Sequence, residues 1–126
     1  MTERYLAKLD LFQWRLRLYW NGAAMIDWEK SGLSGDAVFN DRDPVAIGTM
    51  LYLLAREGAG LCRYAGYPAP DVPEQEAILD FMRVVATPNE FTQVVEAIAK
   101  AIEAGSTHDT FNPMEDDYDT IQLKKN

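Results

Sequence analysis

The amino-acid sequence predicts a mainly α-helical fold with a small N-terminal β element, an α+β domain of about four helices followed by a flexible acidic C-terminal tail. Three observations lead there. Residues 12–20 alternate apolar and polar side chains without interruption, apolar positions recur at helical spacing behind several cap signals, and after Gly105 the apolar period stops while acidic residues accumulate. With 126 residues, 48% apolar and 25% charged, the chain has the composition of one globular domain, drawn as residues 1–105 with a tail over 106–126.

In FQWRLRLYW, residues 12–20, a strand puts Trp14, Leu16, Leu18 and Trp20 on one side and Arg15, Arg17 and Tyr19 on the other. A helix competes, because Tyr5, Leu9, Phe12, Leu16 and Tyr19 also fall three and four apart. No Gly, Pro or Asn-Gly turn divides residues 4–20, so the strand is expected to pair with a distant segment or another chain. Asn21 then caps a helix whose body is residues 23–29, with Gly32 at its C-terminus, and residues 31–43 read as a loop.

Asp43-Pro44 opens the second helix, whose apolar residues Val45, Ile47, Met50, Leu51, Leu53, Leu54 and Ala55 cover more than half its circumference and make it the expected centre of the core. Gly58 and Gly60 are read as its end and residues 61–70 as a loop. Asp71 and Glu74 form a capping-box pattern for a third helix over residues 72–86, with Ile78, Leu79, Phe81, Met82 and Val85 inward. Thr87-Pro88-Asn89-Glu90 opens a fourth, carrying Phe91, Val94, Val95, Ile98, Ala99 and Ile102 to a stop at Gly105.

Twelve basic against 20 acidic residues, a net charge of −8, oppose binding to nucleic acid or to an anionic membrane. Arg56, Glu57 and Arg63 interrupt the most apolar region, so no membrane span is expected. A single cysteine, Cys62, and a charged N-terminus point to the cytoplasm.

Reactive groups are few. The one histidine, His108, falls in the expected tail, and Cys62 has no histidine partner, so neither is assigned to catalysis. One Cys and one His cannot make a zinc set, and Glu115, Asp116, Asp117 and Asp119 lack the glycine and terminal glutamate of a calcium loop. Gly32, Gly35, Gly58 and Gly60 do not follow a nucleotide-binding fingerprint. No catalytic, cofactor or metal site, and no enzyme activity, is expected. What exceeds a small core's needs is the supply of large apolar side chains, from which Trp14, Trp20, Met25, Trp28, Met50 and Tyr64 are the candidate protein-binding residues.

LRLYWNGAAMIDWEKSG at residues 16–32, a strand running directly into a helix, resembles the opening of tail assembly chaperones of long, flexible-tailed bacteriophages and prophages. DPVAIGTMLYLLAREG at residues 43–58 is similar to that family's next helix, and the closing helix of residues 88–104 with an acidic tail fits the same order. The resemblance covers about two thirds of the chain and carries no catalytic motif; residues 1–11 and 61–73 have no counterpart in it. It implies a chaperone in the host cytoplasm that binds and solubilises the helical tape measure protein during virion morphogenesis. It also implies self-association and contact with tail tube subunits. Two rival readings stand beside it: an acidic adaptor or inhibitor that masks a basic partner, and a small ligand-binding domain with a pocket among Trp14, Trp20, Tyr52 and Tyr64.

Overall fold

The computed structural model describes residues 6–108, leaving aside the side chains of residues 107 and 108. It is mainly helical with an N-terminal β-hairpin, in the order β1 (Ala7–Leu11), β2 (Trp14–Leu18), α1 (Gly22–Ser31), α2 (Gly35–Phe39), α3 (Pro44–Ala65), α4 (Gln75–Asp80) running into a π-helical turn (Phe81–Val85), and α5 (Pro88–His108). The expected acidic tail lies outside the described residues from 109 onward.

The strand over residues 12–20 finds its partner in the preceding residues, not in a distant segment or another chain. β1 pairs antiparallel with β2 through a two-residue connection, Phe12-Gln13, in the register Ala7↔Leu18, Leu9↔Leu16 and Leu11↔Trp14. Ala7, Leu9 and Leu11 are buried and Lys8 and Asp10 exposed, so the hairpin is two-faced throughout. The turn carried no sequence signal because Phe12 occupies the left-handed region, φ 59°, where glycine or asparagine is usual.

Three of the four expected N-terminal caps form, those at Asn21, Asp43 and Thr87/Glu90. Asn21 accepts the Ala24 N–H at 2.9 Å and Asp43 the Val45 N–H at 3.0 Å, while Gly32 ends α1 at φ 76°. At α5 the Glu90 N–H donates to Thr87 Oγ1 at 3.2 Å and the Thr87 N–H to Glu90 Oε1 at 2.9 Å, a complete capping box.

Elsewhere the boundaries move. Within the expected loop of residues 31–43, Ser34 caps the short helix α2, which seals the core with the fully buried Val38. The third helix begins at Gln75, because Pro73 holds Val72 out of the helical region; Glu74 is its N-cap position and makes no side-chain cap. α5 does not stop at Gly105 but continues to His108.

The largest shift is in α3, which runs through Gly58 and Gly60 to Ala65 and ends on Gly66 at φ 85°. Gly58 serves an approach, not a stop. A Cβ there would lie 1.8 Å from the Arg17 carbonyl oxygen, so β2 crosses α3 backbone to backbone with only a hydrogen between them. Just beyond, the Tyr19 N–H donates to the Leu54 carbonyl at 3.1 Å. Gly105 plays the same part in α5, where a Cβ would meet the Trp20 carbonyl oxygen at 2.3 Å. The hairpin's apolar face is thus laid on α3 and α5, and α3, with Ile47, Met50, Leu51, Leu54 and Ala55 buried, is the centre of the core.

α3 does reach the length and apolarity of a membrane span, at 22 residues and mean hydropathy 1.2, despite Arg56, Glu57 and Arg63. Its apolar surface is taken up by the protein interior, 67% of that window being buried.

Two glycines of one helix should therefore respond oppositely. Gly58→Ala should destabilise the fold by about 1–3 kcal/mol or more through overpacking against Arg17. Gly60→Ala, with nothing within 4 Å of the new methyl group, should stabilise it by about 0.5–1 kcal/mol. Urea unfolding of the two variants checks both signs.

Candidate functional site

Two backbone irregularities meet at one end of the molecule. The first is the hairpin tip, where the left-handed Phe12 is 61% exposed. The second is the π-helical turn, closed by the Ala86 N–H donating to the Phe81 carbonyl at 2.9 Å, a span of five residues. In a regular α-helix Val85 would share a face with Ile78, Phe81 and Met82 and point inward, as the apolar spacing suggests. The wider turn instead leaves Val84 79% and Val85 53% exposed while Ile78, Phe81 and Met82 stay buried.

The rings of Phe12, Trp14 and Phe81 hold these two features together. Phe12 meets Trp14 edge-on at 5.9 Å between centroids and Phe81 at 5.5 Å, and Trp14 meets Phe81 edge-on at 5.4 Å. Such pairs contribute about 0.5–1.5 kcal/mol each beyond the area they bury. Around them opens an apolar groove of about 530 Å³, lined by Phe12, Trp14, Ala77, Asp80, Phe81, Val84 and Val85. Its one charged wall residue among the described residues, Asp80, accepts a hydrogen bond from Arg83 at 2.9 Å, which gives the groove a polar rim and an apolar floor.

Of the six candidate binding residues, only Trp14 lines this groove. Met50 and Trp28 are corrected outright: at 2% and 8% exposure they are core residues of α3 and α1 and have no surface to offer. Trp20 is half-buried beneath Gly105. Met25 is exposed on α1, and Tyr64, 90% exposed, stands near the far end of α3. Nor do Trp14, Trp20, Tyr52 and Tyr64 enclose one pocket. Tyr52 lines a separate open groove with Arg56, Arg63 and Pro70, and Trp20 and Tyr64 line neither.

Phe12, Phe81, Val84 and Val85 were missed, because each reads as strand or helix interior until the turn and the π geometry are known. Among the described residues no group of three or more His, Cys, Asp and Glu side chains could hold a metal ion. Cys62 is buried with a free thiol, and His108 is the last residue of α5 rather than part of the tail. Comparison with family models, curated proteins and solved structures finds no match.

The left-handed Phe12 permits a test of how the groove is held. Phe12→Ala loses the ring contacts and keeps the unfavourable φ, whereas Phe12→Gly loses the contacts and relieves it. Phe12→Gly should be the more stable of the two by about 1 kcal/mol in urea unfolding, because the left-handed region costs a non-glycine residue about that much.

Proposed function

We propose that this protein is a non-catalytic binding protein whose groove at the hairpin tip receives the apolar face of a client helix, acting as a tail assembly chaperone for a phage tape measure protein. The observation that carries the reading is the pair Val84 and Val85, both exposed at the π-helical turn beside an aromatic triad. An amphipathic helix offers side chains at i, i+3, i+4 and i+7 to such a groove, whose apolar lining suits anchors of that kind.

One groove of this size gives modest affinity. A very long helical client compensates by binding many copies, each raising the effective concentration of the next. Self-association of the chain along the client follows from the same proposal, with tail tube subunits as the partners that displace it. The net charge of −8 keeps the coated assembly dispersed, which suits a chaperone working in a host cytoplasm.

The test is co-expression with the longest helical reading frame encoded beside this one. The native chain should bring that client into the soluble fraction, and Val84→Lys/Val85→Lys should not. Exposed surface positions of this kind change stability by only about 0.5 kcal/mol, so the variant's urea midpoint should stay close to the native one. Losing the burial of two valines should weaken binding more than about tenfold. Retention of the client by the variant, or release of the client from the native chain as salt is raised, would move the protein to the acidic-adaptor reading.

A further inference from the structure

The outer face of the hairpin carries the opposite character from the groove and from the chain as a whole. Lys8, Asp10, Arg15 and Arg17 point away from the core, three bases to one acid in a protein with 20 acids and 12 bases. Lys8 stands directly across from Arg17 in the register, a like-charge pair that is unfavourable on an antiparallel sheet unless an anion lies over it. Arg15 has the one carboxylate on this face among the described residues, Asp10 at 3.8 Å with both side chains about two-thirds exposed. Arg17 hydrogen-bonds only to the Leu16 carbonyl, at 3.2 Å, and has no carboxylate partner among the described residues. Beside the two arginines runs a groove of about 390 Å³, walled by Leu6, Tyr67, Pro68 and Pro70 and without an acidic lining residue among the described residues.

We propose that this face is a docking site for an acidic, aromatic peptide segment, and that its occupant is residues 115–119 of the same chain. That segment reads EDDYD, four carboxylates around one tyrosine. Carboxylates match the two guanidinium forks, and the Tyr118 ring matches the apolar and proline-lined wall.

The fold delivers the segment to the right end of the hairpin. Near its start, α5 is tied to the tip half of β1 by Gln93 Nε2 donating to the Asp10 carbonyl at 2.9 Å. Near its end, Gly105 lies against Trp20, just past the last paired residue of β2, Leu18. α5 therefore terminates at the open end of the hairpin, where Ala7 pairs with Leu18 and Lys8 with Arg17. Residues 109–114 join it to the acidic run, and six extended residues reach about 20 Å. A tether that short holds its ligand at roughly millimolar effective concentration, so contacts too weak to associate two separate molecules suffice within one. A phosphate-bearing partner is disfavoured by the net charge of −8.

Heteronuclear NMR of the full chain tests the assignment. The amides of Lys8, Arg15, Arg17 and residues 115–119 should shift together as salt rises from about 0.1 M to about 1 M, over which the Debye length falls from about 10 Å to about 3 Å. The neutralised chain Glu115→Gln/Asp116→Asn/Asp117→Asn/Asp119→Asn should already show the high-salt positions. It should also bind a synthetic peptide of residues 109–126 at least about tenfold more tightly than the native chain, whose own segment competes. Exchanging the charges, Arg15→Glu/Arg17→Glu together with Glu115→Lys/Asp116→Lys/Asp117→Lys, should restore the salt-dependent coupling, a result that mere damage to the hairpin cannot give. Shifts that grow with protein concentration would assign the segment to a second copy and overturn docking within one chain. Hairpin resonances indifferent to both the neutralised segment and the peptide would overturn the site itself.

Discussion

The approach of β2 to α3 at Gly58 governs the rest of the architecture. A two-stranded hairpin has too little surface to be stable by itself and must lie on a helical layer. Here it lies so close that the Arg17 carbonyl occupies the space of a side chain at position 58. Leu16 and Leu18 consequently reach full burial over α3, and the chain leaving β2 is fixed by the bond from the Tyr19 N–H to the Leu54 carbonyl. Trp20 is then carried under Gly105, which orients the end of α5. With both ends of the hairpin set, its tip has one place to go, and Phe12 arrives against Phe81.

Helix α1 is joined to this platform by charge as well as by the buried Ala24 and Trp28. Arg56 of α3 donates to Asp27 of α1 at 2.7 Å and to Glu57 at 2.6 Å, and Glu57 accepts from the Asn21 amide at 3.0 Å. Asn21 thus caps α1 with one side-chain atom and holds α3 with another. Burial acts to lower the Arg56 pKa, and the hydrogen bonds and charges of Asp27 and Glu57 outweigh it, so the guanidinium titrates above its ordinary value. The partly exposed members of the cluster make it an orienting contact more than a large source of stability.

What the sequence made legible was whatever local chemistry decides. Asn21, Asp43 and the Thr87/Glu90 pair each cap a helix within three residues of themselves, and the alternation through Trp14, Leu16 and Leu18 gave β2 its inward face. Some local signals misled, since Asp71 and Glu74 make no cap and Ser34 caps a helix within an expected loop; most of what escaped depended on a partner distant in the chain. Gly58 and Gly105 read as helix stops because glycine usually costs a helix about 1 kcal/mol, and only the neighbouring backbone of Arg17 and Trp20 explains them. The strand β1 was not read, because Leu9 counted toward a competing helical spacing and without a turn signal at Phe12-Gln13 nothing marked Ala7, Leu9 and Leu11 as half of a hairpin. Met50 and Trp28 looked like spare apolar surface for a related reason. Composition counts large side chains, and only packing says which of them α3 and α1 enclose.

The groove is not simply what remains when a small core is full. Continuing α4 as a regular helix would have set Val85 on the buried stripe with Ile78 and Met82 and gained the burial of a valine, about 1.5–3 kcal/mol when complete. The chain instead widens to a π-helical turn and holds Phe12 in a conformation that suits glycine, two departures that both lower stability at one place. Their common result is an apolar surface that joins Phe12 and Trp14 to Phe81, Val84 and Val85, far apart in the chain, with Trp14 and Phe81 packed edge to face beneath it. The proposed binding of a helical client would require a surface both exposed and preorganised, since ordering it at the moment of binding would subtract from the affinity. The hairpin supplies that order from below, through the same close approach at Gly58 that sets the register of the whole molecule.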